Sequence, residues 1–202
     1  VTDSKGVIHS ERSGLDESKQ RFAQTTSART LADLFVGADI FIGLSTAGIV
    51  SQDMVKQMNA DPIIFALANP TPEILPELVK AVRTDAIIAT GRSDYPNQVN
   101  NALCFPYIFR GALDSGASTV NEEMKVACVR AIAQMAHVES SDSAAYSGEA
   151  RRFGREYLIP GPLDPRLIMA IAPAVAKAAM DSGIATRPIA DFDAYRQKKK
   201  KN

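Results

Sequence analysis

Two short apolar runs, Ile63-Ile64-Phe65-Ala66-Leu67 and Ala86-Ile87-Ile88-Ala89-Thr90, each end abruptly in amides, hydroxyls, Gly and Pro. The first opens into Ala68-Asn69-Pro70-Thr71-Pro72-Glu73, the second into Gly91-Arg92-Ser93-Asp94-Tyr95-Pro96-Asn97-Gln98-Val99-Asn100-Asn101. An apolar run without polar alternation suits a strand covered on both faces, as in a parallel sheet. A third candidate, Asp39-Ile40-Phe41-Ile42-Gly43-Leu44, runs into Ser45-Thr46-Ala47-Gly48. Helical stretches lie between these strands, from Ser51 to Met58 and from Pro72 to Val82. Strands alternating with short helices predict βαβ units and a parallel sheet. Right-handed crossovers then place the three polar loops along one sheet edge, where open α/β sheets bind ligands.

The flanking regions read differently. Val1-Thr2-Asp3 has the pattern of a strand's last step, and Gly6 suits a turn after it. Asp16 can cap a helix reaching Gln24, and Thr30 to Val36 is a second helical stretch closed by Gly37. After Asn101 the pattern becomes helical. One helix covers Pro106 to Ser115. Another starts at Thr119, with a possible capping box to Glu122, and continues through Met124, Cys128, Ile132 and Met135. Ser140 to Gly148 is small and polar, a linker or loop. Asp164-Pro165 opens a helix that Pro173 should kink or split and that Gly183 ends. A last short helix begins at Asp191, and Lys198 to Lys201 read as a solvated tail.

Composition removes several functional classes. The 202 residues allow one large domain, or one with an appendage, and the formal net charge is zero. That balance gives no electrostatic case for a nucleic-acid or membrane partner. No apolar run is long enough for a spanning helix, and Val1-Thr2-Asp3-Ser4-Lys5 does not resemble a signal peptide. Cys104 and Cys128 lie in apolar contexts without ligand spacing, which suggests buried thiols in a reducing cytoplasm. With His9 and His137 far apart, a zinc site is not expected.

The chemistry therefore has to come from the loops. Asn69 stands at a strand tip between prolines, where a carboxamide can both donate and accept. That suits a nicotinamide amide or a substrate carboxylate, although an Asn can also close its own turn. Asn97, Gln98, Asn100 and Asn101 form a dense amide cluster whose partners are either ligand or surrounding backbone. Arg92 can pair with a carboxylate or phosphate, or bridge to Asp94. The Ser45 loop would let a flat ring or a phosphate approach, or it is a plain βα turn. Asp3, followed by Ser4 and Lys5 and with Lys19 on the next helix, can serve an adenosine ribose or its 2′-phosphate; Asp-Ser-Lys-Gly is equally a common turn. Glu73 reads as a first-turn carboxylate favoured by the helix dipole. The chain contains no Gly-x-Gly-x-x-Gly after a strand and no nucleophile elbow.

The ordered segments Ala38 to Ser45, Ala66 to Glu73, Thr90 to Asn101 and Phe105 to Asp114 closely resemble malic enzymes. The later segments Tyr157-Leu158-Ile159-Pro160, Asp164 to Ile168 and Ala185 to Asp191 resemble the bacterial branch of that family. The resemblance implies oxidative decarboxylation of malate to pyruvate and CO2, with NAD or NADP and a divalent metal, Mg or Mn. It implies Asn69 and Asn101 as contacts to malate or the nicotinamide ribose. By the same resemblance Ser45 lines the cofactor cleft, Asp3 and Ser4 meet the adenosine ribose, and Lys5 or Lys19 meets an NADP 2′-phosphate. The Ser-Thr-Ala-Gly loop departs from the more usual proline-containing versions. The family's general base Lys, general acid Tyr, metal carboxylates and glycine-rich loop belong to segments that precede those seen here.

The resulting expectation is a fragment with a partial Rossmann-like parallel sheet, lacking its first strand and glycine loop, followed by a helical C-terminal segment. Residues 1–138 would form the truncated NAD(P)-binding domain. Residues 139–202 would be a helical extension leading to a further domain, which in the bacterial branch is often phosphotransacetylase-like. A cytoplasmic homo-oligomer follows from the resemblance, and the isolated 202 residues are expected to be inactive. The competing expectations are a non-catalytic dinucleotide-binding or regulatory module and, less well matched by the paired Asn motifs, an amino-acid dehydrogenase.

Overall fold

The computed structural model describes residues 1–138 and 152–200, the last two by backbone alone. The stretch expected to be a linker, Ser140 to Gly148, lies outside the described residues, as does Lys201. The chain divides into two compact units, Val1–Ile88 and Ala89–Asn202.

In the first unit, β1 (Thr2–Asp3) pairs with β2 (Gly6–Val7) in an antiparallel hairpin, with Thr2 opposite Val7 and Asp3 opposite Gly6. The opening segment thus doubles back on itself instead of joining the parallel strands. Gly6 permits this: its φ is 104°, and a Cβ there would meet the Arg29 carbonyl oxygen at 2.5 Å. Helix α1 (Glu17–Gln20) is capped by Asp16. Helix α2 (Leu31–Phe35) begins in a reciprocal capping box between Thr30 and Asp33.

The expected alternation then follows as β3 (Ile40–Gly43), α3 (Gln52–Lys56), β4 (Ile63–Ala66), α4 (Pro76–Lys80) and β5 (Ile87–Thr90). The strands lie in the order β3-β4-β5. Strands β3 and β4 are parallel, from Ile40 opposite Ile63 to Gly43 opposite Ala66. The boundary between the units falls within β5. Phe35, Val55, Ile64, Ile74, Val79 and Ile88 form the core of this unit. The helix expected over Pro72 to Val82 starts only at Pro76, which occupies the first helical turn. The reason lies in residues 72–73, whose carbonyls accept Gly48 N–H at 3.2 Å and Val50 N–H at 3.1 Å instead of starting a helical ladder. Edge strand β3 leaves Ile40 and Ile42 exposed at 56% and 61%, with Leu44 beyond them at 77%.

The second unit is helical after β5. A 3-10 turn (Asn101–Leu103) leads into α5 (Phe105–Ser115), followed by α6 (Glu122–His137), α7 (Leu167–Asp181) and α8 (Phe192–Lys200). Its core gathers Leu103, Met124, Cys128, Leu167, Ile171 and Val175. The cap of α6 is Asn121 and not Thr119: its Oδ1 accepts Met124 N–H at 3.0 Å while its Nδ2 reaches Ser182 Oγ at 2.9 Å. Helix α7 runs unbroken through Pro173. The missing backbone donor costs about 3 kcal/mol, but the helix is anchored by Leu167, Ile171, Ala172, Val175 and Ala179, all fully buried. The Cys104 and Cys128 sulfurs are 3.3 Å apart as free thiols, and burial with the Cys104 contact pushes the Cys128 thiol up to about 12. At that value it remains a protonated, apolar filler. Tyr195 donates to Asp114 at 2.5 Å, tying α8 to α5. Among the described residues no helix is long and apolar enough to cross a membrane.

Helices α5 and α7 meet where Gly111 faces Ala172. A Cβ at Gly111 would sit 2.5 Å from the Ala172 carbonyl oxygen and 2.8 Å from Val175 Cβ. Neither atom is a flexible chain end. Gly111→Ala is therefore expected to lower stability by about 1–2 kcal/mol, overpacking outweighing alanine's better helix propensity. A urea midpoint equal to or above that of the parent chain would refute this packing account.

Candidate functional site

Because β3 and β4 are parallel, the Ser45 and Asn69 loops leave the same end of their strands. The residue that joins them is Glu73. Its side chain is fully buried, and its two carboxylate oxygens accept different loops: Ser45 N–H at 2.8 Å and Ala68 N–H at 3.0 Å. Together with the Gly48 and Val50 bonds to residues 72 and 73, the Ser45 N–H bond makes three hydrogen bonds that fasten the Ser45 loop to the segment after Asn69. Glu73 thus does not act on a helix dipole, since α4 begins three residues later. A buried carboxylate needs such partners, and backbone amides supply them without a counter-cation.

Glu73 also explains Gly43. That glycine lies in β3, and a Cβ there would meet Glu73 Cδ at 2.5 Å and Oε1 at 2.6 Å. Its constraint is space and not an unusual backbone angle.

The amides divide into two groups. Asn97, at φ 55° and buried, donates to Arg155 O at 2.7 Å and accepts Leu158 N–H at 2.8 Å, so it binds backbone. Asn100 accepts Ala102 N–H at 2.8 Å as the cap of the 3-10 turn, and Gln98 donates to Gly91 O at 3.3 Å. Asn69 and Asn101 are exposed. The Asn69 amide makes one long bond, to Leu67 O at 3.3 Å, and the peptide that follows it is cis. Asn101 belongs to the second unit, at the first position of the 3-10 turn. Arg92 does bridge to Asp94, at 2.6 and 2.8 Å, and lies 5.3 Å from the Tyr95 ring.

At the hairpin, Asp3 meets Lys19, whose Nζ is 3.0 Å away. Sequence reasoning missed Arg12, whose Nη2 lies 2.8 and 2.9 Å from the two Asp3 oxygens. Only the hairpin fold brings Arg12 back, so no local signal marks it. Lys5 contributes its backbone N–H to Asp3 at 2.9 Å, while the Lys5 and Ser4 side chains are exposed in the turn. Four donated hydrogen bonds thus fill the acceptor positions of Asp3. A separate groove of 1170 Å³ runs along α6, α7 and α8, past Val126, Arg130, Met169, Lys177 and Phe192. None of the sequence-predicted residues lines it. Among the described residues, no three His, Cys, Asp or Glu side chains gather into a metal site.

The Lys5 amide, Lys19 and Arg12 hold the Asp3 carboxyl well below the usual carboxylate range. A depressed folded-state value means this set stabilises the fold fully above the ordinary aspartate range near pH 4, and the effect declines below that range until the pH has fallen past the depressed folded-state value. Asp3→Asn is expected to unfold at lower temperature than the parent chain at pH 7. The difference between the two melting temperatures should shrink steadily as the pH is lowered below about 4. Equal melting temperatures at pH 7 would show that the cluster contributes nothing to stability.

Comparison with known proteins gives these loops a context. The family model for the malic enzyme NAD-binding domain matches residues 1–147. An NADP-dependent malic enzyme of Salmonella typhimurium is 63% identical over 199 residues, covering 96% of this chain and 26% of that protein. An NAD-dependent malic enzyme of Rhizobium meliloti is 60% identical over 201 residues, covering 98% and 26%. Among solved structures, the malic enzyme of Entamoeba histolytica matches 98% of this chain and 40% of its own, with a TM-score of 0.81 at 30% identity. That of Pyrococcus horikoshii matches 84% and 36%, with a TM-score of 0.71 at 38% identity. The chain thus spans about a quarter of the length of its bacterial relatives. It belongs to the malic enzyme family, whose NAD-binding domain, of Rossmann type, it carries.

Proposed function

We propose that the chain is the cofactor-facing part of a longer enzyme that oxidises and decarboxylates malate to pyruvate and CO2 while reducing NAD or NADP. The observation that carries this reading is the Asn69 tip: an exposed carboxamide beside a loop that Glu73 holds at the same strand end. Asn69 and Asn101 would orient the dicarboxylate and the nicotinamide ribose, which is catalysis by positioning. Ser45 would line the cofactor cleft.

Decarboxylation needs an electron sink, and the divalent metal of the family supplies it by polarising the carbonyl oxygen. The described residues do not assemble a site for that ion, so no step is assigned to them through it. Proton transfer likewise calls for an acid and a base from elsewhere in the protein. The exposed Ile40, Ile42 and Leu44 support further chain against β3, because parallel strands are normally covered on both faces. Residues 1–138 would then complete a Rossmann-type domain, with residues 139–202 as the extension toward a following phosphotransacetylase-like domain. The relatives' greater length supports such additional segments, and a cytoplasmic homo-oligomer fits the same reading.

The full-length protein should reduce NAD or NADP in the presence of malate, and residues 1–202 alone should not. Asn69→Ala in the full-length protein is expected to lower kcat/KM for malate about a hundredfold, the order lost when a positioning group is removed. Malate turnover unaffected by that change would remove Asn69 from the site.

Of the two cofactors, the hairpin favours NADP. With its acceptor positions filled, Asp3 has little left for a ribose hydroxyl, while Lys19 and Arg12 bring two cations to the hairpin that suit a 2′-phosphate. Lys19→Ala should raise KM for NADP about tenfold and leave that for NAD nearly unchanged, as expected for the loss of one charged phosphate contact. An unchanged NADP value would exclude Lys19 from the contact.

A further inference from the structure

We propose that Glu73 is a positioning residue for cofactor binding, and that Gly43 is glycine so that Glu73 can do it. The inference rests on the reading of the Ser45 loop as one wall of the cofactor cleft. The two oxygens of one buried carboxylate hold two loops that enter from different strands, at 2.8 and 3.0 Å. Neither loop bonds the other directly through these amides. Alongside the backbone bonds of Leu67 to Gly43 and of Gly48 and Val50 to residues 72 and 73, the span of a carboxylate therefore helps to fix the separation between Ser45 and Ala68, and hence between Ser45 and the neighbouring Asn69 tip.

The choice of acid over amide follows. Both partners are N–H donors, so the side chain must accept at both ends. A carboxylate does so, whereas a carboxamide of the same shape presents an acceptor to one amide and a second donor to the other. Glu73→Gln thus keeps the volume and opens one half of the clamp. Gly43→Ala leaves the carboxylate intact but drives a methyl group against it, since the added Cβ would fall 2.5 Å from Cδ, nearer than its 2.8 Å approach to Phe41 Cζ. Two changes on different strand-loop units should disturb the same separation.

The test is steady-state kinetics of the full-length protein with each single variant and the double variant. Glu73→Gln and Gly43→Ala should each raise KM for the dinucleotide about tenfold, the order of one well-placed hydrogen bond, a larger change than either makes in kcat. Because both act through one clamp, the double variant should be no worse than the poorer single variant, whereas independent sites would multiply. Folded variants with a parental dinucleotide KM, or multiplied effects in the double variant, overturn the proposal. A fall in melting temperature without the KM split would mark Glu73 as structural only and overturn it equally.

Hydrogen exchange on the parent protein provides a second arm that needs no variant. Saturating NAD or NADP should slow exchange in the segments holding Ser45 and Ala68 together, and cofactor protection of neither segment overturns the clamp as a binding device. If the parent protein binds dinucleotide but shows no malate-dependent reduction, the proposed reaction fails while this exchange experiment still decides the role of Glu73.

Discussion

The parallel register of β3 with β4 is the constraint on which the rest of the first unit depends. Pairing Gly43 with Ala66 brings both strands to their ends at the same level, so both following loops start side by side. Parallel strands cannot be joined by a tight turn, and the crossover through α3 buries Met54 and Val55 against the sheet as it returns. Once the register is fixed, a carboxylate three residues beyond Pro70 can reach both loops. One step of slippage would move Gly43 away from Glu73 and turn every side chain of β3 to the opposite face.

Much of this organisation was legible in the sequence because it rests on local signals. Unbroken apolar runs marked β4 and β5, and Asp16 as a cap, with the helical stretches opening at Thr30 and Ser51, marked the starts of three helices. The exposed Asn69 and Asn101 were separable by motif, but nothing local separated them from Asn97, which spends its carboxamide on the backbone of residues 155 and 158. Local reasoning failed where the partner is distant. Glu73 looked like a helix-dipole residue because its Ser45 partner is 28 positions away. Arg12 was invisible because only the hairpin returns it to Asp3. Thr119 was the expected start of α6, whereas Asn121 forms the cap, with a contact to Ser182 at the far end of α7.

The two units divide the chemistry unequally. The first presents loops whose backbone amides converge on a buried acid. The second is a helical body whose polar interactions, such as Tyr195 with Asp114 and Asn121 with Ser182, fasten helices to one another. On the proposed reading, such a chain would orient reactants while other segments of a longer protein carry the bond-breaking step.

The uncovered stripe of Ile40, Ile42 and Leu44 has a consequence for the chain handled by itself. Edge strand β3 offers unpaired backbone groups alongside apolar side chains, and natural sheets usually guard such edges with charge, proline or a covering element. No charged residue interrupts β3 between Ile40 and Gly43. Self-association through that edge should therefore limit the working concentration of the isolated chain, a tendency that light scattering over a dilution series reads directly and that a concentration-independent particle size would contradict.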